Sequence, residues 1–360
     1  NETLMLIKSL HLENFRLFET KKIELSQEKT LILGENGTGK TSILESLEIL
    51  FSGKSFRSKN STDCIKQGRD FFKLDAAGTL FNKELRLSTS KTNTGRISTR
   101  RMLATKKLTV SERPLLQIVL AKHLRMIEGE PDLRRDFMNG LMFHVKPEVS
   151  KLHNKYNKAL SQRNRALRKK LPIDELATWT DQLIDLGMLL SREQYNFFQD
   201  FKKYSLVYIS KVVASEGLTF LHNTNMHFIS GWDTKKTMVK AYQDSLPKDM
   251  VLGYTTQGPH RQDFVFSVDK KSASNNLSRG QSKILIILLF LSSYEVLRNL
   301  SEGECLLLID DITSELDEKN INIILKLLAE AKNQVVITAI AGSYIDKISH
   351  KLKEFKRINI

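Results

Sequence analysis

The chain begins with apolar and polar residues in alternation. "LIKSLHLENF", "KKIEL" and "TLIL" predict short strands. After Lys40 the period lengthens: Ile43, Leu44, Leu47 and Leu50 recur at helical spacing. The opening therefore reads as strand, loop, helix. Residues 71–113 return to β, with "FKLDAAGTLF" and "KELRLSTS" as strands and "TNTG" as a hairpin turn. The middle is helical. Leu152, Tyr156, Leu160, Leu167 and Leu171 predict one helix that Pro172 ends. A second runs from Asp174 to about Ser215, with Leu176, Trp179, Leu183, Leu186, Leu190, Phe197, Phe201, Tyr204 and Tyr208 as its seam and Gly217 as its stop. The two should pair as a hairpin arm. After residue 248 the pattern predicts a strand near "QDFVFSV", a helix over Gln281–Leu297, a strand over Cys305–Ile309, a helix over Glu318–Ala331 and a strand over Gln334–Thr338.

Charge changes this picture more than composition does. The 360 residues hold 41% hydrophobic and 27% charged residues, an ordinary globular balance. The net charge of +15, with a pI near 9.6, favours anionic partners, nucleic acid first and acidic membranes second. The excess is clustered. Lys151 to Lys170 contains eight Lys or Arg and no acid; Ser88 to Lys107 contains six and no acid. Either run could instead be a solvated face. Cys64 and Cys305 give no disulfide framework, and Cys305 reads as core. The longest apolar run, "ILIILLFL", is far shorter than the roughly 20 residues of a membrane span. With no signal pattern in its opening residues, the chain is expected in the cytoplasm.

Three motifs carry chemistry. "GENGTGKT" places Gly34, Gly39, Lys40 and Thr41 at phosphate-loop spacing, after an apolar strand and before a helix. Glycines let backbone N–H groups wrap phosphates, the helix dipole adds positive potential, Lys40 can bridge the outer phosphates and the Thr41 hydroxyl can ligate Mg²⁺. The bland reading is a chance glycine-rich turn. In "CLLLIDDITSELD", Asp310 falls at a strand end, placed to hold Mg²⁺ opposite Thr41. Asp311 could orient or deprotonate a water. Such an acidic pair alone more often caps the next helix. In "NLSRGQSK", Ser278 could simply cap a buried helix.

That third stretch resembles the "LSGGQ" signature of ABC-type ATPases, with Arg279 replacing one glycine. The order phosphate loop, signature, acidic strand and "SELD" (314–317) is that of ABC heads. Over nearly the whole chain the sequence resembles the RecF family of SMC-like ATPase heads. The resemblance rests on "LHLENFR", "GENGTGKTSILESLEILFSGKSFRS", "GEPDLRRDFMN", "GPHRQDF" and "LIDDITSELD". It implies an α/β P-loop head of ABC/SMC type, residues 1–128 plus 248–360, with an inserted helical arm, residues 129–247. It implies ATP held by Gly34, Glu35, Asn36, Gly37, Thr38, Gly39, Lys40, Thr41 and Ser42, and Mg²⁺ at Thr41 and Asp310. Lys40 and Asp311 would be catalytic. Ser278, Gly280 and Gln281 would grip the nucleotide of the other copy in an ATP-dependent homodimer. The expected activity is slow, DNA-stimulated ATP hydrolysis. The expected role is to help load RecA at gapped DNA with RecO and RecR.

DNA, duplex or gapped, would be contacted without much sequence preference by Arg96, Arg100, Arg101, Arg163, Arg165, Arg168, Lys169 and Lys170. Arg57, just after the nucleotide segment, resembles an Arg that senses DNA in SMC-like heads. Arg16 could lie near the phosphates, and His260 and Arg261 could pack or face DNA. The sequence departs from the family where it reads "AKHL", Ala121 to Leu124, near Gln117, and where Gln262 replaces an Asp. Thr338 stands where transporters place a switch His. Other readings are a scaffold that binds ATP and hardly hydrolyses it, or a transporter's nucleotide-binding subunit; the basic hairpin and the missing His argue against the latter.

Overall fold

The computed structural model describes residues 5–109, 112–301, 303–314, 316–349 and 352–360. In chain order these form β1 (Met5–Phe15), β2 (Phe18–Glu24), β3 (Lys29–Gly34), α1 (Lys40–Ser52), β4 (Phe71–Leu80), β5 (Lys83–Thr92), β6 (Ser98–Leu103), β7 (Lys106–Lys107) and β8 (Leu115–Val119). A short α2 (Arg125–Glu128) leads to α3 (Pro131–Val145), α4 (Pro147–Arg168) and α5 (Ile173–Glu216). Then come β9 (Asn225–Ile229), α6 (Met238–Leu252), β10 (Asp263–Val268), β11 (Lys271–Ser272) and α7 (Ala273–Asn276). The chain closes with α8 (Arg279–Leu300), β12 (Cys305–Ile309), α9 (Glu318–Glu330), β13 (Val335–Ile340), α10 (Tyr344–Ser349) and β14 (Phe355–Asn359). Two compact units result, one of residues 1–123 and 279–360, the other of residues 124–278. Residues 124–128 and 248–278, read with the head from sequence, belong to the second unit, because β10 pairs with β9 and not with a head strand.

The first unit holds two sheets. One is antiparallel, in the order β2-β1-β4-β5-β6-β7; the other is parallel, in the order β14-β3-β13-β12-β8. β3 and β12 are buried along their whole length, as strands of a covered parallel sheet must be. α1 joins the layers. Its Ile43, Leu44, Leu47, Ile49 and Leu50 share one cluster with Leu10, Leu74 and Leu87 of the antiparallel sheet and Leu306, Leu308 and Val336 of the parallel one. α8 is apolar all round from Ile284 to Leu291 and continuously buried from Ser282 to Tyr294. A buried glutamine stitches the sheets together: Gln334 Oε1 accepts from Ile7 N at 2.8 Å, and its Nε2 donates to the carbonyls of Ile7 and Ser26 at 2.8 and 2.7 Å. Among the described residues no helix is long and apolar enough to cross a membrane.

The second unit is built on the helical hairpin. α5 runs 44 residues to Gly217, whose φ of 63° ends it in the left-handed region. α4 stops at Arg168, earlier than Pro172 would require, because Lys170 turns left-handed with φ 52°. Leu171 therefore lies beyond the helix. The helices bury Tyr156, Ala159 and Ala166 of α4 and Leu183, Leu190, Phe197 and Phe201 of α5. The "GPHRQDF" stretch is an internal staple. Gly258 has φ 132°, and a Cβ there would lie 2.3 Å from the Tyr242 hydroxyl. His260 Nε2 faces the Thr255 carbonyl at 3.2 Å, so Nδ1 accepts from the Tyr156 hydroxyl at 2.7 Å. Burial holds this imidazole neutral, lowering its pKa to about 4. Asp263 makes a two-pronged pair with Arg134, at 2.7 Å on each side. Arg261 instead lies over the Tyr254 ring, 5.5 Å from its centroid.

One expected surface cation turns out to be core. Arg163 is fully buried, and its Nη1 donates to Asp249 at 2.8 Å and to Thr255 Oγ1 at 2.7 Å, while its Nε donates to Thr180 at 3.0 Å. It falls on the α4 face that carries Tyr156, Ala159 and Ala166, so helical phase turns it inward. Replacing Arg163 by Met should destabilise the fold by about 3–5 kcal/mol, because Asp249 is left buried and unpaired. Adding Asp249→Asn should recover at least half of that loss. Thermal melts of the two variants check this, and additive losses would contradict the pairing.

Glu48 gives a pH-dependent test. Burial raises its carboxyl from an ordinary 4.5 to about 7, against a smaller opposing effect from the Phe56 backbone N–H. The folded state holds this proton more tightly than the unfolded chain. Stability from the protonated form is complete below pH 4.5 and is lost as pH rises through about 7. Glu48→Gln should therefore melt higher than the parent at pH 8, by at most about 2–3 kcal/mol of stability, and match it at pH 4.

Candidate functional site

The phosphate loop follows β3, and α1 begins at Lys40. Gly37 and Gly39 take φ of 87° and 100°, and a Cβ on Gly39 would sit 2.5 Å from the Phe18 ring. Gly34 is closed off on its own side: a Cβ there would meet Thr38 Oγ1 at 2.5 Å. The Lys40 ammonium folds back over the loop, donating to the carbonyls of Gly34 and Glu35 at 2.8 and 2.7 Å. Thr38 Oγ1 donates to the Glu35 carbonyl at 3.0 Å. Asn36, Gly37, Gly39, Lys40, Thr41 and Ser42 line a cavity of about 260 Å³ together with Arg57, Asp310, Asp311 and Thr338. A larger cavity, about 780 Å³, lies over β1, β2, β4, β5 and β6 and includes Arg100, but it contains no phosphate loop or acidic strand end.

The acidic strand end meets the loop from the side. Thr41 Oγ1 lies 3.0 and 3.1 Å from the two carboxylate oxygens of Asp310. Thr338 Oγ1 donates to Asp310 at 2.9 Å and accepts from the Asp311 N–H at 2.8 Å. Thr338 thus bridges the two acids, a role that its place on β13 gave no means of reading. Asp311 is left-handed, with φ 47°, and its carboxylate accepts from Thr313 Oγ1 at 2.8 Å. Gly280 and Gln281 lie in the first turn of α8, neither lining the cavity of its own chain, and Ser278 is exposed just before that helix. Of "SELD", Glu315 lies outside the described residues, and Asp317 caps α9 by accepting from Asn320 N at 2.8 Å. Gln117 is buried in β8, where it accepts from Cys305 Sγ at 3.5 Å.

A buried carboxylate on α1 organises the rim. Glu45 is fully buried and accepts from Arg16 Nε at 2.9 Å, Arg16 Nη2 at 2.5 Å and Ser55 Oγ at 2.5 Å. Arg16 also donates to Ser58 Oγ and to the Asp63 carbonyl, and its hydrogen bonds to Glu45 hold its pKa above the ordinary value. Arg57 Nη1 reaches Ser42 Oγ at 3.2 Å and lies 3.5 Å from Glu45. Arg57 is therefore a residue of the cavity rim. Arg16 does not line the cavity; it braces the 55–65 loop. Sequence reading missed Glu45; its one visible signal was a carboxylate amid Ile43, Leu44 and Leu47.

The remaining basic candidates divide. Arg96, Arg100, Arg165, Arg168, Lys169 and Lys170 are exposed. Arg101 is half-buried. Its Nε donates to the Leu50 carbonyl at 2.8 Å, capping the end of α1, and burial lowers its pKa to about 10. Arg163 is the buried pair already described.

A parallel sheet with a phosphate loop at one strand end, an acidic pair at another and a side antiparallel sheet is a P-loop ATPase head of the ABC/SMC type. Residues 6–358 match the RecF/RecN/SMC N terminal domain family. A DNA replication and repair protein RecF from Teredinibacter turnerae is 31% identical over 338 residues, 93% of this chain and 88% of that one. Its counterpart in Pseudoalteromonas translucida is 29% identical over 348 residues, 96% and 94% of the two chains. A solved structure of the recombination mediator protein RecF with ATPrS in the RecFOR pathway superposes with a TM-score of 0.80 at 22% identity, covering 100% and 97%. The chain belongs to the RecF family.

Glu45→Ala should release the 55–65 loop. Hydrogen exchange of its backbone amides should rise at least tenfold, with stability lower by about 3–5 kcal/mol from the stranded Arg16. Unchanged exchange in that loop would show that Glu45 does not hold it.

Proposed function

We propose that this chain is an ATP-dependent DNA-binding protein of the RecF type, which dimerises head to head on ATP, hydrolyses it slowly and helps load recombinase at gapped DNA with RecR and RecO. The observation that carries this reading is the meeting of Thr41 and Asp310 beside Lys40 in a chain of this family. The relatives' role in DNA replication and repair, and the solved RecF with ATPrS, support it.

In this reading Lys40 exchanges the carbonyls of Gly34 and Glu35 for the outer phosphates. The Thr41 hydroxyl and the Asp310 carboxylate, hard oxygen donors in contact on the cavity wall, fit Mg²⁺ and would hold it. Bound there, Mg²⁺ would neutralise charge on the phosphate oxygens. Asp311 takes the proton of the attacking water; its side chain is shorter than Glu, consistent with slow turnover. Arg57 supplies a second cation at the rim. Ser278, Gly280 and Gln281 close the nucleotide of the other copy. The exposed Arg165, Arg168, Lys169 and Lys170, with Arg96 and Arg100, track DNA phosphates, so affinity should fall steeply with salt and depend little on sequence.

Light scattering with and without ATP and Mg²⁺, followed by gapped duplex, tests the reading. The parent should become a dimer that retains DNA; Lys40→Ala should stay monomeric. Asp311→Asn should still dimerise but turn over at least tenfold more slowly. Joint replacement of Arg165, Arg168, Lys169 and Lys170 by Ala should lower the salt slope by about 3–4. Dimerisation without any turnover would favour the ATP-binding scaffold, and no response to ATP would reject the reading.

A further inference from the structure

Lys283 lies in the second turn of α8, one turn beyond Gly280, and only 6% of its surface is exposed. Its ammonium is not left to a single partner. Nζ lies 2.9 Å from the carbonyl of Asp311, 3.2 Å from that of Ile312, 2.6 Å from that of Ser314 and 2.8 Å from Ser314 Oγ. Ser314 Oγ in turn donates to the Asp311 carbonyl at 3.1 Å. An ammonium has three protons, and here it meets four oxygens from three residues of one short turn. A buried cation is tolerated only where such partners replace its water, so the amine and the segment hold each other in place.

That segment carries the proposed base. The Asp311 backbone sits in the left-handed region, at φ 47°, which disfavours a residue with a Cβ by about 1–2 kcal/mol. Such a conformation persists only where its surroundings fix it. From β13, Thr338 Oγ1 fixes the Asp311 N–H at 2.8 Å and the Thr338 carbonyl accepts from Ile312 N at 3.1 Å. From α8, Lys283 fixes the carbonyl side. The carboxylate direction follows from the backbone between these anchors, with Thr313 Oγ1 holding Asp311 Oδ1.

We propose that Lys283 is a positioning residue: it binds the turn of Asp311 to the helix whose first residues form the signature, so that the base of a subunit's own site moves with the turn that closes its partner's nucleotide. The inference rests on the ATPase reading above for its catalytic consequence, and on the four oxygen contacts alone for the positioning. Lys283 itself touches no nucleotide; it is not among the residues lining the cavity.

The test uses full-length Lys283→Met and Ser314→Ala. The second removes one acceptor of Lys283 without stranding a buried charge, so it remains informative if the first folds poorly. Three quantities are measured: equilibrium ATP affinity, steady-state kcat and KM for ATP, and hydrogen exchange of the amides of residues 310–314 without nucleotide. Lys283→Met should bind ATP within threefold of the parent, lose at least tenfold in kcat with KM within threefold, and exchange at 310–314 at least tenfold faster while α9 is unchanged. Ser314→Ala should move kcat and exchange the same way, by three- to tenfold. Parent-like exchange at 310–314 in both variants would overturn the proposal, as would lost kcat accompanied by an equal loss of ATP affinity. If the parent itself does not hydrolyse ATP, the hydrolase reading fails by itself, and the exchange data alone still decide whether Lys283 holds the turn.

Discussion

The carboxylate of Asp310 receives hydrogen bonds from Thr41 and Thr338, and the site depends on that convergence. Thr41 lies in the first turn of α1, which follows β3, Asp310 comes directly after β12, and Thr338 lies on β13, the strand between β3 and β12 in the sheet. Parallel pairing sets the depth at which the three meet: Thr338 is opposite Ile32 of β3, and Ile337 is opposite Ile309 of β12. A shift of one residue in the β12–β13 register would turn Thr338 to the other face of the sheet and take it away from the two acids. The strands serve the chemistry through that register, and the burial of β3 and β12 along their whole length makes slippage costly.

Around this centre several buried charges are each answered by a partner. Glu45 is met by Arg16, Asp263 by Arg134, Arg163 by Asp249, and the Lys283 ammonium by carbonyls. Each pair joins segments far apart in the chain, and each would be strongly destabilising if halved. Such pairs specify which loops lie against which helices. In the second unit Arg163 and Asp249 fix the end of α6 on α4, while the cations on the opposite side of α4 stay in water. The basic character of the arm therefore has two physical origins, a structural cation and a solvated set, although both occur in one uninterrupted run of sequence.

Much of the fold was legible because its signals are local. The change from alternation to helical spacing at Lys40, the seam of α5, its stop at Gly217 and the apolar strand of β12 all depend on neighbours within a few residues. The phosphate-loop spacing and the acidic strand end were legible for the same reason. Elements with few buried apolar positions were not: α3, α6, α10 and β14 went unread. The end of α4 was misplaced because Pro172 offered an obvious stop, whereas Lys170 turns left-handed two residues earlier. The unit boundary moved because β10 finds its partner in β9, a pairing no local pattern reveals.

By itself the sequence determined a phosphate-binding loop, an acidic strand end, the order of the motifs and a basic helical hairpin. Tertiary structure alone decided that Arg163 is interior and Arg101 is half-buried against the end of α1, while Arg165 and Arg168 are exposed. It also decided that Glu45 governs the rim, that Thr338 bridges the acids and that Lys283 anchors the turn of Asp311. The physical reason is separation along the chain. Arg163 and Asp249 are 86 residues apart, Thr41 and Asp310 are 269 apart, and what a charged side chain does is settled by the partner that folding brings to it.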